Sequence, residues 1–411
     1  MELNSLRNTV LKEISLEDMN ILYDAFRASM RDSSWKGEPQ RFEADFLTEL
    51  TAISEEIANR SYKTSKGSEF ILCERGKARF IHGNRMRDRV VRHCLCDNML
   101  TPSLVPYLIY NNGASQEGKG TTFARKMFET DLHNFYLEHK SNDGYVAFID
   151  FSKFFDNIEH EKALALIKPK ISEQAQWLLD VIFDNFKVDV SYMTDQEYEN
   201  CINEKFNSIE YHMKINDSLK TGEKFMKKSV DIGDQVSQDV GVYYPTKIDN
   251  YATVVRGCKR YGRYMDDIYI IHESKDYLKS VIEGIKKQSS ELGLFVNEKK
   301  TRIAKLSDCY KYLQFKYTLL ENGRVMKRIN PKTLTRERKK LKAYKRIMDA
   351  GIMPYADIEN CYKSWMGNYA RYMSKKQRKN IQDLYESLFE RRPRWKKQQS
   401  NSKTEQKSRQ K

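Results

Sequence analysis

Nothing along these 411 residues approaches a membrane-spanning run of ~18–20 apolar residues, and the first residues lack a signal-peptide pattern. The seven cysteines (Cys73, Cys94, Cys96, Cys201, Cys258, Cys309, Cys361) contain no Cys-x-x-Cys pair. Their scatter argues against a zinc module and against a disulfide framework, and it suggests a reducing compartment. A soluble, cytoplasmic protein is expected, with no membrane partner. A nucleoside-triphosphatase phosphate loop is missing as well. Gly118-Lys119-Gly120-Thr121 leads into a helix and could accept phosphate there, but it lacks that motif's spacing.

What is present is apolar and aromatic content ample for a core, 40% and 12% of residues, in a chain long enough for one multi-lobed unit or two to three domains. The formal charge of +15 points to a polyanionic partner. Residues 391–411 hold nine Lys/Arg and one Glu, so the tail carries +8 and the rest +7. The body is moderately basic, which fits a nucleic-acid channel without proving one.

Residues 261–271 (Tyr-Gly-Arg-Tyr-Met-Asp-Asp-Ile-Tyr-Ile-Ile) organise the chain. Their β-rich flanks predict a hairpin with Asp266 and Asp267 at its tip. Adjacent acids repel, so folding gives little reason for them. An ordinary acidic turn is one reading; a site for a hard divalent cation such as magnesium is the other. Upstream, a buried-looking strand over 146–150 ends in Asp150. Two metals roughly 3.5–4 Å apart on shared carboxylates can activate a primer 3′-hydroxyl and stabilise departing pyrophosphate.

Tyr264-Met265-Asp266-Asp267 resembles the catalytic signature of reverse transcriptases, and residues 150–155 resemble their first acidic motif. The likeness extends over 67–375. A hairpin over 67–83 turning at 74–77, with Lys77 and Arg79 on its return strand, followed by an Arg-Asp-Arg-Val-Val helix from Arg85, is similar to the start of their fingers. The 110–126 stretch resembles a second finger motif, which implies Lys119 near template or nucleotide. A helix is expected from Asn157 to about 185, then a polar insertion over 188–228 of unassigned role. Ile232, Gly233, Gln235 and Ser237 would frame the templating site, in a stretch that runs Ile232-Gly233, three residues, then Ser237-Gln238. That spacing resembles bacterial enzymes of diversity-generating retroelements and antiphage defence, rather than retroviral or intron enzymes. A helix over 274–291 precedes Lys300, which is either the proton donor to pyrophosphate or one of a surface lysine pair. Residues 310–317 read as a strand similar to the primer grip. Basic helices follow from Thr333, with Ser364-Trp365-Met366-Gly367 similar to the thumb of the same enzymes.

The resemblance implies an α+β right-hand polymerase. Its expected parts are a helical N-terminal cap (1–60), fingers (61–135), palm with insertion (136–325), helical thumb (326–390) and a basic disordered tail (391–411). It implies RNA-directed DNA synthesis with two Mg²⁺ ions. The metal ligands would be Asp150, Asp266 and the Phe151 main chain, with Asp267 in support. Phe155 would sit under the nucleotide sugar and reject a 2′-hydroxyl. The implied partners are an RNA template, a DNA or RNA primer and deoxynucleoside triphosphates, together with a cognate non-coding RNA and an accessory protein. No RNase H-like or zinc-bearing endonuclease segment is legible, so a dedicated structured RNA is the expected template. Two alternatives remain open at this point: untemplated or protein-primed DNA synthesis in phage defence, and a catalytically idle RNA-binding scaffold.

Overall fold

The computed structural model describes residues 14–394, apart from Arg75 and 211–214. Most of the basic tail, and the expectation of its disorder, lie outside the described residues. The chain divides into two compact units between Lys305 and Leu306.

In the first unit, α1 (Met19–Met30) starts where the Asp18 carboxylate accepts the Asn20 and Ile21 N–H groups. Its apolar stripe (Leu22, Ala25, Phe26, Met30) packs inward, and Phe26 stacks on Phe46 at 5.5 Å. Within the helical cap expected over 1–60, two further helices follow, α2 (Gly37–Ala44) and α3 (Phe46–Ala58), separated at Asp45 where φ is −129°.

Strands β1 (Ser68–Glu74) and β2 (Lys77–Gly83) pair from Ser68↔Gly83 to Glu74↔Lys77, the expected turn position. Both faces of β1 are largely exposed, so this hairpin projects from the body. Helix α4 (Met86–Leu95) follows and widens into a π-helical turn over Cys96–Leu100. Helix α5 (Thr121–His139) begins at Gly120, whose φ of +141° suits glycine alone.

Strand β3 (Tyr145–Ser152) is the axis of the main sheet, with Val146, Ala147, Ile149 and Phe151 buried. Burying each of the larger of these side chains contributes about 1.5–3 kcal/mol. The helix expected to run from Asn157 to 185 is interrupted. Helix α6 (His160–Ile167) stops at a short 3₁₀ turn (Lys168–Lys170) containing Pro169, which cannot donate to a continuing helix, and α7 (Glu173–Asn185) restarts with Ser172 as cap.

The described part of the 188–228 segment carries more regular structure than its polarity suggests. Strand β4 (Val188–Asp189) pairs with β5 (Phe225–Met226) around helix α8 (Asp195–Asn203), over a small core of Val188, Val190, Met193, Cys201, Phe206 and Met226.

Helix α9 (Gln235–Tyr243) then leads by a further short helix to the hairpin β6 (Tyr261–Tyr264) and β7 (Asp267–His272). Helix α10 (Lys275–Glu291), capped by Ser274, returns the chain to β8 (Phe295–Val296) and β9 (Arg302–Lys305). The sheet is antiparallel in order β6-β7-β3-β8, with β9 also on β3.

In the second unit, the single strand expected over 310–317 is instead a hairpin. Strands β10 (Tyr310–Tyr312) and β11 (Phe315–Leu319) turn at Leu313 and Gln314, both at positive φ (36° and 76°). Two left-handed residues suit the primed turns of tight hairpins, but these are not the residues that usually signal one. Strand β12 (Val325–Ile329) completes the sheet. Helices α11 (Pro331–Asp349), α12 (Tyr355–Tyr369) and α13 (Lys375–Phe389) share a core with Ile329, and Phe315 packs on Tyr369 and Tyr372. This packing joins the 310–329 strands to the helices after them, so the compact division falls ahead of the palm–thumb boundary expected at 325.

Glu337 lies inside that helical core, 4% exposed, and burial pushes its carboxyl up to about 7 while Lys340 pulls it down. An acid raised on folding favours the folded state at low pH, and that advantage is lost as pH rises from its ordinary value to about 7. Glu337→Gln should therefore stabilise at pH 8 by on the order of 1–3 kcal/mol and little at pH 4. Thermal melts of both forms across that range check it.

Candidate active site

The β3/β7 register sets Asp150 directly opposite Asp267. Asp266 occupies the turn between β6 and β7, preceded by Met265 in the left-handed region at φ +53°. This turn brings the Asp266 carboxyl close to Asp150. Burial pushes Asp266 up, the Asp150 charge adds to that, and Lys300 and Lys77 pull the other way. Two carboxylates crowded at one half-buried point repel each other, and a proton or a nearby cation relieves that repulsion.

One lysine already answers. The Asn297 N–H donates to the Asp150 carbonyl at 2.7 Å, and the Lys300 N–H to the Asn297 carbonyl at 3.1 Å. This turn carries the Lys300 ammonium onto Asp150 Oδ2. Lys77, at the tip of the exposed β1/β2 hairpin, reaches the same field, since it acts on Asp266.

The turn holding Asp266 is fastened from below by Arg263, which is fully buried against an equally buried Asp249. The guanidinium donates from Nε and Nη2 to both Asp249 oxygens, from Nη2 to the Val242 carbonyl at 2.7 Å, and from Nη1 to the Met265 carbonyl at 3.3 Å. Tyr261 donates its hydroxyl to Asp249 as well. Neither Arg263 nor Asp249 was singled out from sequence. An arginine inside an otherwise apolar strand was the available signal, because a buried guanidinium demands an acid.

Phe155 sits half-buried in the 3₁₀ turn Phe155–Asn157 after β3. Its ring lies against Gly241 of α9, where an added Cβ would come within 3.3 Å of ring carbons, so glycine makes the seat. Gly233 takes φ +102°, a conformation other residues adopt only under strain, and its open side faces Ile81 of the hairpin. Asp234 caps α9 and pairs with the buried Arg92 of α4. Gln235 donates to Asp97 at 2.7 Å.

Ser237 is fully buried, with no hydrogen-bond partner for its hydroxyl among the described residues. Arg79 pairs with Glu74 at 3.5 Å on the hairpin surface. Lys119 is committed to its own loop. Its ammonium donates to the Tyr110 and Asn112 carbonyls at 2.9 and 3.2 Å and lies 5.3 Å from the Tyr110 and Phe123 ring centres, with burial lowering its pKa.

Residues 64–317 match the family described as reverse transcriptase (RNA-dependent DNA polymerase). The chain belongs to that family. The match takes in both acidic strands, the β1/β2 hairpin, the inserted segment and Lys300. A comparison with curated proteins found no match. Among solved structures, this reverse-transcriptase chain is similar to apo telomerase from Candida Tropicalis, at 14% identity and a TM-score of 0.42, over 64% of this chain. It spans about half (48%) of that chain.

Among the described residues, no three His, Cys, Asp or Glu side chains converge closely enough to hold a metal ion unaided. The donor set at Asp150 and Asp266 is two carboxylates, whose hard oxygens suit magnesium. Their mutual repulsion and the lysine resting on one of them fit a cation site that main-chain oxygen, water or substrate would complete. No helix among the described residues is long and apolar enough to cross a membrane.

Proposed function

We propose that the chain is an RNA-directed DNA polymerase that extends a primer by nucleotidyl transfer. The observation that carries this reading is the approach of Asp266, in the β6/β7 turn, to Asp150 on β3, with Lys300 resting on Asp150 and the Lys77 charge acting on Asp266, in a chain of this family. The five-stranded sheet then serves as the palm, the β1/β2 hairpin and α4 as fingers, and the basic helices after β12 as the thumb.

In the reaction, the primer 3′-oxygen bonds to the α-phosphorus of a deoxynucleoside triphosphate as the bond to the bridging oxygen of the β-phosphate breaks. Two Mg²⁺ ions, when bound by Asp150, Asp266 and the Phe151 main-chain oxygen, supply a lowered 3′-hydroxyl pKa and charge neutralisation on the phosphates. Asp267 supports the pair. Lys77 binds the triphosphate, and Lys300 hands a proton to the departing pyrophosphate. Phe155 closes the space a 2′-hydroxyl would need.

A cavity of about 690 Å³ at the root of the hairpin supports template binding ahead of the site; Asn84, Arg85, Arg92, Gly233 and Gln235 are among its lining residues. Arg92 Nη2, Asn84 Oδ1 and Gln235 Oε1 are buried without a hydrogen-bond partner among the described residues, and a nucleotide would supply partners. The Gly233-x-x-x-Ser237-Gln238 spacing supports a retroelement or antiphage-defence setting, with a dedicated structured RNA as template and an accessory protein as partner.

The experiment supplies the purified protein and its co-purifying RNA with labelled deoxynucleotides or ribonucleotides and magnesium. The expected result is deoxynucleotide incorporation into a product complementary to the bound RNA. A product unrelated to that RNA would indicate untemplated synthesis. No incorporation on any primed RNA would leave an RNA-binding scaffold.

A further inference from the structure

The 188–228 insertion has no part in the reaction as described, yet it is bonded to the turn that carries Phe155. Asn157, fully buried, exchanges two hydrogen bonds with the Phe206 backbone: the Phe206 N–H donates to Asn157 Oδ1 at 2.8 Å, and Asn157 Nδ2 donates to the Phe206 carbonyl at 3.2 Å. The same amide also donates to the Lys153 carbonyl at 2.8 Å. Beside it, Ser208 donates its hydroxyl to Asp156 Oδ1 at 2.7 Å, both residues being buried.

The insertion is itself made stiff where it grips. Lys228, 2% exposed, donates its ammonium to the carbonyls of Cys201, Ile202 and Glu204 at 3.0–3.3 Å, satisfying the C-terminal end of α8 just before Phe206. The exit strand returns to the same place. The Val230 N–H donates to the Phe155 carbonyl at 3.1 Å, and the Ser229 N–H to the Ile158 carbonyl at 3.0 Å. His160, kept neutral by burial that lowers its pKa to about 4, donates Nε2–H to the Ser229 carbonyl at 2.6 Å.

We propose that the insertion is a strut that holds the Phe155 turn in place, and that Asn157, Asp156 and Ser208 are positioning residues for selection of the nucleotide sugar. The proposal rests on the reading of Phe155 as the group that rejects a 2′-hydroxyl. Gly241 leaves the ring room against α9, but with no side chain it offers nothing that fixes the ring there. That hold comes from the backbone of residues 155–157, and two adjacent side chains of this turn end on the insertion. A ring that rocks by a fraction of an ångström opens the space it is meant to fill.

The test measures kcat/KM for a deoxynucleotide against its ribonucleotide in the full chain, for Ser208→Ala, Ser208→Thr, Asn157→Ala and Phe155→Val. Ser208→Ala should lower discrimination roughly fivefold, the scale of one buried hydrogen bond, chiefly through a lower ribonucleotide KM with deoxynucleotide kcat held. Ser208→Thr, which keeps the hydroxyl, should restore it. Asn157→Ala should lower discrimination further, and if that variant fails to fold, the serine pair decides. Relaxed discrimination in Phe155→Val with none in Ser208→Ala overturns the strut. Unchanged discrimination in Phe155→Val overturns the sugar-gate reading on which it rests.

Discussion

Asp266→Asn should reduce deoxynucleotide incorporation by roughly 10³-fold or more without loss of the fold. Asparagine keeps the shape of the side chain and the β6/β7 turn, but removes the charge that a divalent cation requires. Stability should move the opposite way from activity. The Asp266 carboxyl is held up by burial and by Asp150, so its ionised form costs the folded state, and this cost grows as pH rises through the shifted value. In metal-free buffer the variant should therefore melt at or above the parent at neutral pH, with the difference vanishing in acid. Incorporation assays beside thermal melts at pH 4 and pH 8 check both halves. A variant that kept incorporating would remove Asp266 from the site. A variant that lost activity by unfolding would show it in the melt.

Arg263→Ala should cost about 3–5 kcal/mol of stability, because it strands the buried Asp249 carboxylate and removes the guanidinium donor from the Met265 carbonyl. The informative comparison is Arg263→Met combined with Asp249→Asn. This pair leaves no unpaired buried charge, and asparagine can still accept the Tyr261 hydroxyl, so most of the lost stability should return. Activity should not return with it. The methionine cannot donate to the Met265 carbonyl, and the left-handed turn that presents Asp266 loses its fastening. Denaturant unfolding and incorporation rates on the single and paired variants separate the two contributions. Full activity in the paired variant would show that Arg263 only supports the core.

Local chemistry made much of this legible in advance. The β1/β2 hairpin turns at Glu74 and Lys77 as expected, and helix α10 starts at its Ser274 cap. The acidic pair stands at a hairpin turn because β-rich residues flank it. Each of these signals arises among residues within one or two turns of each other, where backbone sterics and side-chain caps act directly.

Elsewhere the local signal was weak or misleading. Leu313 and Gln314 form a tight turn without turn chemistry, and the polar 188–228 stretch hides a small core whose members are spread along it. The contacts of the Lys119 ammonium with nearby carbonyls and rings likewise had no legible signal.

By itself, then, the sequence determined a strand that leads to Asp150 and a later hairpin that carries Asp266 and Asp267 at its turn. Tertiary structure alone decided which buried groups meet. Arg92 with Asp234, Asn157 with Phe206 and Arg263 with Asp249 are each joined across a stretch of chain. A buried charge or amide must find a partner, but its identity depends on which surfaces pack together, and no local rule states that.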